Sequence, residues 1–427
     1  MIPVPGGRYR WTASSERPCS GTGPLPGLAA PKTGNTASLY IHVPFCAGVC
    51  DYCDFYSIPV LPRDSRLHTY PEALLREAEV RIEEFRLSHI PTVYIGGGTP
   101  SLLGAGGMGR LLSGLWKLWK QEGIQGPGEI TLEANPESAD EAFLKTCRDQ
   151  GITRLSLGVQ TFHEPSRRAV HRVGAGALLQ ERLGLVRDIF GRGFSGDLIT
   201  GLPGQDEEIL RRDIDRLLSY EPGHVSLYAL TVEEGTPLAA GGRERGLPEP
   251  DRADALWIAG RDRLEQQGYG QYEVSNFSLP GREARHNIRY WRMENWIGLG
   301  PGASGTLIDD ARARGRRFTV NPDVDAYSAW ARGKAGELLF WEDLDRLTLM
   351  KETLLMGFRY CRGPDAALFR QRFGMDMESG IPQTIARWRE RGLLETGPLA
   401  LTKAGLLFLD GFLAEAFREL EARGALA

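Results

Sequence analysis

No stretch of the 427-residue chain approaches 18 consecutive apolar residues, which excludes a membrane-spanning helix. Nor is there a basic excess: 51 Lys and Arg stand against 55 Asp and Glu, a net charge of −4, so nothing advertises nucleic acid as the bulk partner. Cysteine is scarce, with six in the whole chain, too few for a disulfide scaffold. No fixed-period repeat marks a solenoid. The first 37 residues lack the apolar core of a secretory signal. Their single acidic residue, Glu16, leaves a transit peptide open by charge, but six Pro and six Gly argue against the amphipathic helix it needs. They read as a disordered leader that carries Cys19 as a bystander. Present in excess are glycine, 53 residues, and local cysteine density, with three of the six between 46 and 53. Such crowding points to a metal or redox site in a reducing compartment, hence a cytoplasmic protein. A length of 427 residues suggests one large domain and a smaller one, and a hydrophobic content of 41% is ordinary for a globular protein with a sizeable core.

From Ser38 onward short apolar runs alternate with amphipathic stretches. Strands are expected at Leu39–Val43, Val93–Ile95, Ile130–Glu133, Leu155–Leu157, Asp197–Ile199 and Val225–Ala229. Helices fall between them, as at Glu72–Phe85, Met108–Lys120 and Ala139–Gln150. This order predicts a parallel α/β sheet with right-handed crossovers, either an incomplete barrel or a doubly wound sheet. Either way, ligands belong beyond the carboxyl ends of the strands. From about 343 the helical segments Leu347–Phe358, Ile385–Arg391 and Ala404–Phe417, with a strand–turn–strand at Gly392–Leu401, suggest a winged-helix-like module. We divide the chain into a leader (1–37), a barrel (38–270), an extension (271–342) and a C-terminal domain (343–427).

Cys46, Cys50 and Cys53 follow the first strand with the spacing Cys-x3-Cys-x2-Cys. A structural zinc site takes four ligands, commonly as two close pairs, and no second pair exists. Cys147 and Cys361 are isolated. Thiolates hold iron–sulfur clusters, and three of them on a four-iron cubane leave one iron open to an exogenous ligand. That arrangement suits a protein that binds a small molecule at iron. At the end of the second strand, Gly96–Gly98 allow close backbone approach and Thr99 can cap a helix beginning at Pro100. Taken alone, they are better explained as a plain turn.

The cysteine spacing resembles the signature of the radical S-adenosylmethionine (SAM) superfamily. The resemblance implies a partial (β/α)6 TIM-like barrel and a 4Fe-4S cluster on Cys46, Cys50 and Cys53, with SAM chelating the open iron and cleaved to a 5′-deoxyadenosyl radical. Tyr52 matches the aromatic position near the adenine. By similarity to the coproporphyrinogen-oxidase-like branch, Tyr40, Gly97, Gly98, Thr99, Glu133, Gln160, Arg172, Asp197 and Ala229 are implied as further SAM contacts. Oxygen-independent coproporphyrinogen III dehydrogenase carries a fourth cysteine two residues after the third. Here Asp54 and Phe55 follow Cys53, which is similar to the HemW family of heme chaperones. A second segment, His286, Asn287, Tyr290 and Trp291, resembles that family's heme-binding His-Asn-x-x-Tyr-Trp motif. Histidine is a common axial heme ligand and the aromatic rings suit a porphyrin face, although a structural histidine beside core aromatics fits the residues too.

These features imply heme as a third cofactor, acceptor hemoproteins and an electron donor as partners, and a C-terminal module that covers the barrel mouth. Gly298, Gly300, Gly302 and Gly305 read as a backbone turn against the pocket, and Arg312, Arg314, Arg316 and Arg317 as an exposed loop. Two alternatives remain at this stage: a coproporphyrinogen dehydrogenase, and a winged-helix nucleic-acid-binding protein with a structural cluster. The sparse charge of Ala404–Phe417 opposes the second, because a recognition helix carries basic residues. Whether SAM is cleaved productively, and whether a homodimer forms, the sequence leaves open.

Overall fold

The computed structural model describes residues 35–172, 174, 176–241 and 246–423; the leader and Cys19 lie outside them, save for its last three residues. Six parallel strands follow one another: β1 (Ser38–Val43), β2 (Thr92–Gly97), β3 (Glu129–Ala134), β4 (Arg154–Gln160), β5 (Phe194–Thr200) and β6 (His224–Ala229). These are the six strands anticipated from the apolar runs, each longer by one to four residues. A hairpin of β7 (Gly270–Gln271) and β8 (Asn276–Ser278) adds to β6. At the opposite edge β9 (Trp296–Leu299) pairs parallel with β1 and leads into an antiparallel run of β10 (Ser304–Asp309), β11 (Arg314–Val320) and β12 (Leu339–Leu344). The sheet order is β7-β8-β6-β5-β4-β3-β2-β1-β9-β10-β11-β12. Among the described residues no pairing joins β6 to β1, so the barrel is incomplete.

Crossover helices α1 (Arg66–Glu84), α2 (Gly104–Gln121), α3 (Glu141–Asp149), α4 (Gly176–Phe190), α5 (Glu207–Leu218) and α6 (Pro250–Gln266) cover one face of the sheet. Asp140 and Asp206 start α3 and α5 by accepting from Phe143 N and Ile209 N, each at 2.8 Å. Along the strands period-two alternation sorts the side chains. Leu39, Ile41, Val93, Ile95, Ile130, Leu132, Leu155 and Leu157 join the apolar core beneath the helices. Tyr40, Tyr94, Glu133, Ser156, Ser195 and Asp197 point the other way and interact with one another across the barrel interior.

The C-terminal module contains α8 (Arg346–Gly357), α9 (Ala366–Phe373), α10 (Pro382–Glu390) and α11 (Leu409–Arg423), with an antiparallel bridge between Leu394 and Leu401 as its wing. Helix α9 escapes the sequence reading because its run Ala366–Phe373 is short and carries Arg370, Gln371 and Arg372 between the apolar positions. Leu409, Phe412, Leu413, Ala416 and Leu420 of α11 are buried, so this helix is packed rather than presented to a groove.

The expectation that this module covers the barrel mouth is corrected. Its core includes Met293 and Ala313, with Trp296 and Val274 packed against it. The Arg372 guanidinium donates to Met293 O at 3.1 Å, and Val274 N donates to Arg359 O. Trp296 pairs with Ser38, the first residue of β1, so these contacts lie at the amino ends of the strands. A second correction concerns Arg314, Arg316 and Arg317, which sit on β11 rather than in a loop. Arg316 pairs with Asp343 at 2.9 Å and Arg317 with Glu342 at 3.7 Å across the hairpin.

Candidate functional site

At the carboxyl ends, the segment after β1 turns through Pro44–Tyr56 and carries all three clustered cysteines. Cys53 N donates to Cys50 O at 3.0 Å, closing the turn between them. Asp51 is buried, and both of its carboxylate oxygens lie 2.9 Å from His171 Nδ1, which ties the cysteine turn to the segment after β4. Asp51 N donates to Val170 O at 3.1 Å and strengthens that tie.

A chain of polar contacts joins two of the cysteines. Cys46 Sγ lies 3.5 Å from Thr99 Oγ1, which accepts from Asn135 Nδ2 at 3.1 Å. Asn135 Oδ1 accepts from Arg172 Nη2 at 2.9 Å, and Arg172 Nη1 reaches Cys50 Sγ at 3.8 Å. Arg172 also donates to Gly158 O at 2.9 Å. The guanidinium is thereby aimed at the mouth by a fork of acceptors. Asn135 follows Glu133 in the sequence, and only its place in this bridge distinguishes it from an ordinary turn asparagine.

The glycine segment serves the same place. Gly97 has φ +113, and a Cβ there would lie 2.6 Å from the His42 ring. A Cβ on Gly98 would meet Phe45 O at 2.7 Å. Thr99 N and Gly98 N donate to Phe45 O and Val43 O at 2.7 and 2.8 Å, so only glycine lets this strand end lie flat against the cysteine segment. Glu133 accepts from Tyr94 OH at 2.6 Å and from Gly97 N at 3.1 Å, which holds its carboxylate beneath the glycines.

Deeper in the barrel, Ser156 donates to both oxygens of Asp197 at 3.1 and 3.0 Å. Burial pushes the Asp197 carboxyl up to about 6, against the pull of the Ser226 hydroxyl. Tyr40 OH lies 2.9 Å from His42 Nδ1, and its ring stacks on Tyr94 at 6.2 Å. Gln160 ends β4 with φ +67, a conformation costly for a side chain other than glycine, next to the bulge that bends the strand at the mouth. Tyr52 packs on the apolar group Val170, Ile199 and Leu202 with Tyr228 and Leu230. Ala229 lies exposed at the end of β6. The residues anticipated as SAM contacts thus come from six consecutive strands and the loops that leave them, with Tyr40 and Asp197 set deeper than the rest. The turn after β9 approaches the same region, since Gly300 lies against His42 O and Gly302 against the Tyr56 ring.

The His-Asn-x-x-Tyr-Trp segment is elsewhere. It forms α7 (Arg285–Trp291) at the amino ends of β2 and β3, away from the cysteines. His286 is 1% exposed, with Nδ1 2.9 Å from Thr92 Oγ1 and its ring between Tyr94 and Tyr290, at 5.3 and 4.8 Å. Glu129 accepts from His286 N at 3.0 Å. Trp291 packs with Tyr272, Ala284 and Tyr360, while Asn287 is half-buried. An open heme face on these residues is therefore not what this conformation offers, because the packing of α7 encloses the imidazole. Burial lowers the His286 pKa to about 3, so the ring is neutral, and its Nε2 has no hydrogen-bond partner among the described residues.

No group of three His, Cys, Asp or Glu among the described residues is arranged for a single metal ion. Three thiols on one turn, beside an arginine, suit instead a cluster that spreads its thiolates over separate iron atoms. A parallel partial barrel with a three-cysteine turn after its first strand and a glycine segment after its second defines a radical SAM protein. Residues 40–217 match the radical SAM superfamily model and residues 344–408 the HemN C-terminal domain model.

The chain is 33% identical over 362 residues to the heme chaperone HemW of Lactococcus lactis, covering 84% of this chain and 90% of the relative. It is 31% identical to the HemW of Bacillus subtilis, covering 87% and 96%. The zebrafish (Danio rerio) protein called radical S-adenosyl methionine domain-containing protein 1, mitochondrial, is 32% identical, with 90% and 88% covered. The chain belongs to the HemW family of radical SAM proteins. Its fold matches the solved coproporphyrinogen III oxidase (HemN) of Escherichia coli with a TM-score of 0.73 at 22% identity over 90% of each chain.

Proposed function

We propose that this chain is a heme chaperone that holds a 4Fe-4S cluster on Cys46, Cys50 and Cys53, binds SAM at the mouth, takes up heme beside α7 and passes it to hemoproteins. The observation that carries this reading is the end of the cysteine turn, where Asp54 and Phe55 replace the fourth cysteine of a coproporphyrinogen dehydrogenase. When bound, the cluster would supply an open iron for the amino and carboxylate groups of SAM to chelate, and an electron. Glu133 and the backbone carbonyls around Gly97 and Gly98 would accept from the amino group, and Arg172, oriented by Asn135, would donate to the ligand carboxylate. Asp197 accepts from ribose hydroxyls. The apolar wall behind Tyr52 excludes water from the adenine face, with Tyr40, Thr99, Gln160 and Ala229 completing the surround.

For heme we assign His286 as the iron ligand, reached when α7 lifts from the barrel end. The support is its buried Nε2, neutral and without a hydrogen-bond partner, a state that costs about 1–3 kcal/mol and that coordination would relieve. Asn287, Tyr290 and Trp291 would flank the ring. No helix among the described residues is long and apolar enough to cross a membrane. A cytoplasmic setting, an electron donor and the barrel, extension and module boundaries of 38–270, 271–342 and 343–427 complete the reading.

Anaerobic reconstitution followed by iron, sulfide and heme quantitation, with electron paramagnetic resonance before and after SAM, tests it. The expected result is about four irons per chain, a spectrum shifted by SAM, and heme lost in His286→Ala with iron retained. A spectrum that SAM leaves unmoved contradicts the open-iron site. Unchanged heme in His286→Ala places the ligand elsewhere. Protoporphyrinogen formed from coproporphyrinogen with SAM and reductant would establish the dehydrogenase instead.

A further inference from the structure

At the amino ends of β3 and β4 a surface pocket of about 300 Å³ is lined by Arg154, Arg192, Arg282 and Arg285 against Glu129 and Glu283. Glu129 is already committed: it accepts from Arg285 N and His286 N at 3.2 and 3.0 Å and faces Arg154 Nε at 3.6 Å. Arg154 is held in place by Arg282 O and Glu283 O, which accept from its Nη2 at 2.6 and 3.0 Å. Among the described residues Arg192 pairs loosely with the exposed Glu221, at 3.4 Å. Arg282 and Arg285 are exposed, and no ion pair among the described residues engages either side chain. Four arginines thus line a pocket where two carboxylates stand, one of them spent on the α7 backbone. In a chain with net charge −4, such a local surplus is poised for an anion, and planar guanidinium forks match carboxylate or phosphate oxygens.

We propose that this arginine pocket binds a dianionic oxyanion, and that the paired propionates of heme are the ligand it takes. The identity of the ligand rests on the heme-chaperone reading, whereas the anion site itself does not. One wall of the pocket, Glu129, holds the first residues of α7, so propionates docked here keep a porphyrin beside His286.

The test compares the full chain with an Arg282→Ala/Arg285→Ala variant, chosen because both side chains are exposed and unpaired. Two probes are used: heme against its dimethyl ester, followed by absorbance, and inorganic pyrophosphate against chloride at equal ionic strength, followed by thermal shift. The wild type should bind heme about tenfold or more tightly than the ester, and the variant should bind both alike. Pyrophosphate should raise the melting temperature of the wild type only. A pyrophosphate shift without discrimination between heme and ester keeps the oxyanion site but assigns it to phosphate. Heme bound without discrimination and no pyrophosphate shift overturns the pocket while leaving heme carriage intact. Absence of heme binding altogether, with the pyrophosphate shift retained, defeats the chaperone reading and not the site.

Discussion

The two ends of the barrel draw on the same strands and the same inward face, yet they differ in kind. At the carboxyl ends Cys46, Thr99, Asn135 and Arg172 form a single-file bridge, and Arg172 keeps donors that its fork of acceptors does not use up. At the amino ends Ser38, Thr92, His224, Tyr272 and His286 are 1–8% exposed and bonded to one another, Thr92 to Ser38 and His286, and His224 to Tyr272. Above the first lies the glycine-backed cysteine turn, with Leu238 N donating to Asp51 O. Over the second lies α7 and then the core of the C-terminal module. Polar side chains inside a parallel barrel therefore do not mark a ligand site by themselves. Which end they occupy, and what packs upon it, decides the matter.

The sharpest way to break this contrast is to remove a cysteine. Cys50→Ser should abolish nearly all bound iron and sulfide after reconstitution while leaving the far-ultraviolet circular dichroism unchanged. Retained iron would move the cluster out of the mouth. A smaller effect separates close approach from backbone strain. Gly97 and Gly268 both have positive φ, +113 and +85, but a Cβ at Gly268 meets nothing within 4 Å, whereas one at Gly97 strikes the His42 ring. Gly268→Ala should cost about 1 kcal/mol in urea unfolding. Gly97→Ala should cost several times as much and should also blunt the SAM-induced spectral change. Equal losses would mean that the mouth needs glycine only for its dihedral angle.

Much of this was legible before any coordinates. The six core strands and the cysteine turn stand out because short apolar runs and crowded thiols leave few alternative readings. Glu133, Arg172 and Asp197 were legible only through the family resemblance, since a carboxylate or guanidinium at a strand end is most often a cap. Asn135 could not be distinguished, because its role depends on Thr99 and Arg172, 36 and 37 residues away. The side of the barrel on which the C-terminal module packs was illegible for a related reason. It is fixed by tertiary contacts such as Arg372 to Met293 O, 79 residues apart, and periodicity carries no record of them. The aromatics of the His286 segment signalled a ring-binding site and a packing helix equally well, and the structure shows the packing.

The closed end makes its own demand, in the pH dependence of stability. Burial holds the His286 imidazole at about 3, below its ordinary 6.5. The unfolded chain therefore takes up a proton at that position between about 6.5 and 3 while the folded chain does not, and stability falls as pH drops through that window. Glu273 behaves in the opposite sense. It sits at the bridge to Tyr360 that joins barrel and module, and burial pushes its carboxyl up to about 8. Its contribution is complete below the unfolded value near 4.5 and is lost as pH rises through about 8. His286→Gln should flatten the acid limb of unfolding free energy by up to one proton, about 1.4 kcal/mol per pH unit. Glu273→Gln should flatten the decline between about 4.5 and 8, likewise by up to one proton, and leave the fall below 4.5 in place. If neither variant changes its limb, the amino end is open to water, and the contrast with the mouth disappears.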